Sequence, residues 1–436
     1  MKILTIVSDL GRGGTQRVAV DVALCYQRYG HESAVLTRNG SGPRYQDLTE
    51  AGIEIFIAQE QTDNPDTPWN QQAKNWNPDI IHLHRTGHHN PVENELIKYF
   101  KSNSETPIKI IEHSHFGRCD RGPERNLIDA HIQISKWCLW RWRRWGRGLS
   151  NPPIGVYIPH MVHAENFTQQ DPQTILDFRD QHHIPRDAFV YGFLAQPHRS
   201  KWSPVLFESF KAVAQHDESV YLIIAGISEE LKSLYADFPD HIKSRIVVLP
   251  FINGDEELQT VYSAMNTFVH STRIGETFGF ILTESMCCHT VVATMENPTR
   301  DNAQAEIVGH KRGGVVAANP KALVEAMTIL KNDKELLENC QKNGREYVIE
   351  QFNQERVSQM LIALLDHVYQ SKNSQGLYER LQNDPLLQTN ITRKQLQQAG
   401  GGKIGSYTLS QRLTQLAVLN PLFQCLIQRY KNIKSK

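Results

Sequence analysis

Apolar residues in this chain fall into short, nearly unbroken runs that alternate with longer stretches of helical spacing. Residues 2–8 form the first such run. The polar, glycine-rich segment Asp9-Leu10-Gly11-Arg12-Gly13-Gly14-Thr15 follows it. Between Gln16 and Tyr29 the apolar positions Val18, Val22, Leu24, Cys25 and Tyr29 recur with helical period, Gly30-His31 stops the helix, and residues 32–37 make the next strand. Further strands are predicted at 53–57, 79–83, 108–112 and 131–134, with helices near 69–77 and 91–101. The rhythm restarts in the second half. Strands are predicted at 189–195, 220–226, 246–249, 267–270 and 290–294, and helices at 172–182, 204–215, 280–288, 320–331, 333–349 and 353–370. Runs such as VYLIIAG are apolar on both faces, as strands of a parallel sheet covered by helices must be. Two successive βα series therefore predict two doubly wound α/β domains.

Chemistry concentrates in the loops after these strands. The stretch from His270 to Val308 reads as strand, glycine loop, helix and strand, with Gly275 and Gly279 bracketing Glu276-Thr277-Phe278. Free amides and a partial positive charge at that helix N-terminus favour phosphate. Glu276 lies at the helix mouth and Glu284 about two turns in. From there Glu284 is placed to accept hydrogen bonds from vicinal ribose hydroxyls rather than to meet a phosphate. The competing reading is that both acids only solvate a helix face.

The pair Glu276 and Glu284 resembles the E-x7-E element of the family-4 (group 1) retaining glycosyltransferases of the GT-B fold. Ser271, the Thr277-Phe278-Gly279 turn and Glu306-Ile307-Val308 extend the likeness. The resemblance covers roughly residues 1–370. It implies two Rossmann-like domains facing across a cleft, residues 1–169 on the acceptor side and 170–354 on the nucleotide-sugar side. A returning helix at 355–372 and a basic extension at 373–436 follow. It further implies that Glu276 holds the donor sugar and Glu284 the ribose. Arg199 and Lys201 neutralise the leaving diphosphate beside the Thr277, Phe278 and Gly279 backbone, and Phe251 and Ile252 read the base. Gly13 and Gly14 lie near the diphosphate and acceptor, and Arg17 matches a recurrent basic position. One departure stands out: Gly192 is followed by Phe193 where the family carries an arginine. If Arg199 and Lys201 are only solvated turn cations, the leaving charge is left without a partner.

In the first half, the strand at 108–112 runs into Glu112-His113-Ser114-His115-Phe116-Gly117-Arg118, at the strand end where open α/β sheets place their chemistry. A histidine there can hydrogen-bond a sugar, steady a phosphate or bind metal. No third metal ligand stands at a useful spacing, so no metal is expected. The resemblance makes His113 and His115 candidates for contact with donor or acceptor, His113 first. His160 stands where the family's exit segment usually carries asparagine. Residues 135–147 (SKWCLWRWRRWGR) read as a helix capped by Ser135, either purely structural or touching an acceptor or lipid phosphate.

Composition narrows the classes. The chain has 436 residues, 40% apolar and 22% charged, with 47 basic residues against 47 acidic ones, which excludes a bulk polyanion such as nucleic acid as the expected partner. Seven scattered cysteines without a C-x-x-C pair suggest reduced thiols and no structural zinc. Residues 1–8 are too short for a signal peptide, and no run approaches a membrane span, so a cytoplasmic protein is expected. After Asp384 no acid occurs while eight lysines and arginines do, and apolar spacing from 409 to 433 is helix-like apart from Pro421. Gly400-Gly401-Gly402 reads as a flexible break. The tail fits either a membrane-surface or partner segment or a solvated, partly disordered extension. The function implied is metal-independent transfer of a hexose-like sugar from a nucleotide diphosphate sugar to a hydroxyl, with no cofactor beyond the donor. By the family's commonest members, the acceptor is a cell-surface polysaccharide or glycolipid. A nucleotide-sugar epimerase of the same fold and a catalytically silent GT-B binding subunit are the alternatives.

Overall fold

A computed structural model describes residues 1–102, 107–418 and 420 of the chain. It divides into two compact units. The first comprises Met1–Met161 and Gln354–Thr392, the second Val162–Asn353 and Arg393–Val418. The chain first passes from one unit to the other between Met161 and Val162. The reason is local: the Val162 amide donates to the Phe352 carbonyl (2.8 Å), and Phe167 is buried edge-on against Tyr262.

In the first unit seven parallel strands form one sheet: β1 (Lys2–Val7), β2 (Glu32–Thr37), β3 (Glu54–Ile57), β4 (Ile80–Arg85), β5 (Lys109–Ser114), β6 (Ala130–Gln133) and β7 (Gly155–Tyr157). Their order is β3-β2-β1-β4-β5-β6-β7, so winding reverses between β1 and β4. The helix Gly14–Arg28 packs Val18, Ala19, Val22, Ala23 and Tyr26 inward. Gln354–Gln370 presents Val357, Met360, Leu361, Leu364, Leu365 and Val368 to the interior, the 3.6-residue stripe read from the sequence. Its Glu355 accepts from Tyr29 Oη at 3.1 Å within the same unit.

The tryptophan–arginine segment forms the helix Lys136–Trp145, with Ser135 Oγ accepting from the Cys138 amide at 3.1 Å. Trp137, Trp142 and Trp145 are buried, and so is Arg141. Its guanidinium lies 4.7 Å from the Trp145 ring and donates to the Phe116 carbonyl (2.8 Å). This composition belongs to a core in which a buried cation is satisfied by ring faces and a carbonyl.

The second unit holds six parallel strands: β8 (Phe189–Leu194), β9 (Val220–Ala225), β10 (Ile246–Leu249), β11 (Thr267–His270), β12 (Val291–Met295) and β13 (Gly314–Ala317). Their order β10-β9-β8-β11-β12-β13 places the reversal between β8 and β11.

The tail differs from its sequence reading. Residues 373–392 pack on the first unit, with Gln388 bridging Tyr157 at the edge of the sheet. Residues 393–418 belong to the second unit, where Ile404 pairs with Ala317 on β13. Gly400–Gly402 is a packed turn rather than a break: the His310 amide donates to the Gly400 carbonyl at 2.8 Å. The predicted helical spacing beyond 409 is met by the helix Leu409–Val418, and residues 421–436 lie outside the described residues. No helix of the described residues is long and apolar enough to cross a membrane.

Candidate functional site

The second unit's reversal point brings two loops together. One leaves β8 and carries Gln196 to Trp202. The other leaves β11 and carries Ser271 to Gly279. Open parallel sheets take ligands at this end and at this place. The first loop is pinned by Trp202, which is buried edge-on against Phe193 and donates its indole N–H to the Gln196 carbonyl at 3.1 Å. Lys201 emerges beside it, and its Nζ meets Glu276 Oε1 from the other loop at 2.7 Å.

Glu276 is held from three sides. His270 Nε2 lies 3.5 Å from the same oxygen, the Glu276 amide donates to Gln304 Oε1 (3.1 Å), and its carbonyl accepts from the Ala303 amide (2.9 Å). Burial alone would raise its pKa, but Lys201 and then His270 outweigh that and hold it down at about 2. The carboxylate is therefore ionised and preorganised. His270 is itself fixed by Thr294 Oγ1 on Nδ1 (3.0 Å).

Two glycines shape this loop. Gly275 has φ +69°, and a Cβ there would fall 1.8 Å from the Asp301 carbonyl oxygen. Gly279, at φ +95°, caps the helix Phe280–Cys287 with no side-chain bond of its own. Thr277 lies in the same turn. Phe278 is buried, edge-on to Phe280 and Phe352, so its ring anchors the turn.

Glu284 is the fifth residue of the helix, a little over one turn in rather than two. Its Oε2 accepts from buried Tyr262 Oη at 3.4 Å. Phe251 is 44% exposed on the segment after β10, while neighbouring Ile252 is buried. Arg199 is exposed in the Lys201 loop and forms no ion pair among the described residues. Phe193, where an arginine was expected, is a core residue against Phe268 and Trp202 and carries no charge to the site. The structure therefore gathers Lys201, Arg199, Glu276, Thr277, Phe278 and Gly279 at one reversal point, with Glu284 on the helix that leaves it. Gln304 and His270, which brace Glu276, went unmarked in the sequence because neither belongs to a spacing motif.

The other candidates lie in the first unit. Gly13 and Gly14 begin the helix Gly14–Arg28, where Asp9 accepts from the Gly11 amide (2.8 Å) and from Gln16 Nε2 (3.1 Å), folding the loop on itself. Arg17 sits one turn in, 4.0 Å from Asp21. His113 and His115 are buried, and His113 is the middle of a column. Its ring lies 5.3 Å from His82, 4.8 Å from His84, 4.8 Å from His115 and 5.4 Å from His160. With 1% of its surface exposed, His113 is packed among the other imidazoles of this unit. The expectation that no third metal-ligating residue joins these histidines is corrected. Two H-x-H runs on neighbouring parallel strands, with His84 opposite His113, put four imidazoles on one face, and His160 arrives after β7. The two runs were visible in sequence; their register was not.

Comparison with known proteins gives this geometry a context. Residues 175–347 match the family described as "Glycosyl transferases group 1". The Staphylococcus aureus capsular polysaccharide biosynthesis glycosyltransferase CapM is 28% identical over 246 residues, which take in 51% of this chain and 62% of that protein, so the match spans less than two thirds of this curated relative. Among solved structures, the Anabaena protein HepE in complex with UDP-glucose aligns with a TM-score of 0.66 at 17% identity, over 84% of this chain and 99% of the other. A glycosyltransferase from Rickettsia africae aligns equally well, TM-score 0.66 at 15% identity, over 85% and 99%. These likenesses show the α/β GT-B fold, and residues 175–347, within the second unit, match the group 1 glycosyl transferase family.

Proposed function

We propose that this protein transfers a hexose from a nucleotide diphosphate sugar to a hydroxyl acceptor with retention at the anomeric carbon. The observation that carries the reading is the Lys201–Glu276 pair (2.7 Å) at the reversal point of the sheet, inside the segment that matches the family. In the roles assigned, Lys201 leaves Glu276 for the diphosphate, joined by Arg199 and by the amides that follow Gly279. Glu276, freed from its cation, accepts hydrogen bonds from the donor sugar. Glu284 takes the ribose hydroxyls, and the Phe251-Ile252 segment takes the base. Positive charge placed where the leaving diphosphate develops charge is the main catalytic device, and it lets the transfer proceed without a metal on the phosphates. The departing phosphate oxygen takes the acceptor's proton, so no carboxylate nucleophile is required. Gly13 and Gly14 are assigned beside the diphosphate and acceptor, and Arg17 and His115 to the acceptor side.

UDP is the first nucleotide to test, since HepE is seen with UDP-glucose. The name of CapM points to a surface polysaccharide as the acceptor class, with a lipid-linked glycan as the neighbouring possibility. One observation favours a second reading, a binding subunit without turnover: Phe193 brings no charge where an arginine was expected. The experiment is a thermal-shift series with UDP, GDP, ADP and their sugar conjugates in chelator, followed by a product assay. A rise in Tm with one nucleotide series, lost in Glu284→Ala, together with sugar transfer, supports the transferase. Binding without turnover selects the subunit. No binding at millimolar nucleotide sinks both.

A further inference from the structure

We propose that the first unit binds one transition-metal ion through His82, His84 and His113, independently of any sugar transfer in the second unit. The three histidines occupy one face of β4 and β5, the face that Tyr26 of the helix Gly14–Arg28 reaches, and one nitrogen from each lies within 4.8 Å of the others. All three are buried. Their remaining polar contacts are already allotted: Tyr26 Oη meets His82 Nδ1 at 2.5 Å, and His84 Nδ1 meets His115 Nε2 at 3.1 Å.

Left over are His82 Nε2, His84 Nε2 and both nitrogens of His113, buried and without a hydrogen-bond partner. Buried polar atoms without partners are costly and rare, and a cluster of them on one face calls for a ligand. The pattern is that of a metal site with its supports in place. Each of two ligand rings is held through its far nitrogen, which sets tautomer and orientation and leaves the near nitrogen as the lone pair.

An all-nitrogen set without carboxylate excludes magnesium and calcium and selects the zinc, copper and nickel class. Bonds of ~2.0–2.1 Å place tetrahedral ligand nitrogens roughly 3.4 Å apart, so the rings must turn inward on binding. The adjacent acid Glu112 points to the opposite face and is engaged by Arg85, which leaves the ion's charge to be spread over the imidazoles alone.

The test uses the full-length chain, stripped with chelator, dialysed against zinc and then against copper, and assayed for bound metal by mass spectrometry and for Tm. Expected are about one ion per chain, a higher Tm, and an absorption-edge spectrum showing nitrogen neighbours only, at ~2.0–2.1 Å. His84→Gln should lose the ion. Tyr26→Phe should weaken it 10–100-fold while leaving the ligands intact. Retention in His84→Gln with loss in His160→Gln would move the ion to the neighbouring trio His113, His115 and His160 and overturn the assignment. If His84→Gln does not fold, the wild-type chain decides. No bound metal and no Tm change in the folded protein would overturn the proposal, leaving buried water to satisfy the nitrogens.

Discussion

Each unit holds a buried carboxylate paired with a cation and a histidine at the C-terminal end of its sheet, and the two pairs differ in what surrounds their cations. Glu112, next to last but one on β5, meets Arg85 at 2.7 Å and lies 3.2 Å from His131. Glu276, after β11, meets Lys201 at 2.7 Å and lies 3.5 Å from His270. In both, burial pushes the pKa up, the cation and then the histidine pull it down further, and the result is about 2. The electrostatics match, yet the access does not. The Arg85 side chain is 1% exposed and also meets Glu93, whereas the Lys201 side chain is 28% exposed and, among the described residues, pairs with Glu276 alone. A closed pair of this kind fixes a fold. An open one is a pair that a ligand can exchange into.

Removing each carboxylate separates these roles. Glu112→Ala leaves Arg85 buried with only the more distant Glu93 at 3.6 Å and Asn94 at 3.2 Å. Breaking a buried pair from one side costs about 3–5 kcal/mol, so chemical denaturation should show that loss, and nucleotide binding by the folded fraction should be unchanged. Glu276→Ala should act the other way round on activity. A preorganised group aimed at the reacting sugar is worth about 10²–10³ in kcat/KM, and a steady-state assay should show that drop. An active Glu276→Ala enzyme would sink the role assigned to this residue.

Acid sharpens the comparison by titrating the open pair. A carboxylate whose folded pKa lies below its unfolded value contributes stability above the unfolded value, and loses it as pH falls through the folded one. For Glu276 the window runs from 4.5 down to about 2. Its full contribution is about 3 kcal/mol at ~1.4 kcal/mol per unit. Denaturation midpoints measured across this window should fall more steeply for wild type than for Glu276→Gln. Parallel curves would mean that the Lys201 contact is not maintained in solution.

The legibility of these features in sequence follows from their range. Strands such as β9 and β11 were plain because a parallel strand buried on both faces is apolar throughout. Glu276, Gly279 and Glu284 were plain because their roles are fixed within one loop and helix. Partnerships made by the sheet were not. Nothing local links Lys201 to a carboxylate 75 positions on, or sets His84 opposite His113. The tail was misjudged for a related reason: its glycines looked like a break, while their backbone satisfies groups on His310, far away in sequence. Phe193 shows the reverse case, in which a family position was read for charge and the fold uses it for packing.

The smallest expected effect tests whether the open pair has a helper. Arg199 is exposed in the loop that carries Lys201 and meets no acid among the described residues. Arg199→Ala should shift stability by no more than about 0.5 kcal/mol. If the guanidinium closes on the diphosphate, the same change should weaken nucleotide binding about tenfold, ~1.4 kcal/mol, within the range for a charge-assisted bond. It should also flatten the salt dependence of binding, because a solvent-exposed cation is screened and its loss removes a screened contribution. Calorimetric titration of wild type and variant at low and high salt reads both effects. An unchanged affinity would leave Lys201 and the helix amides as the whole of the diphosphate site, and would turn the missing charge at Phe193 from a departure that is compensated into one that is not.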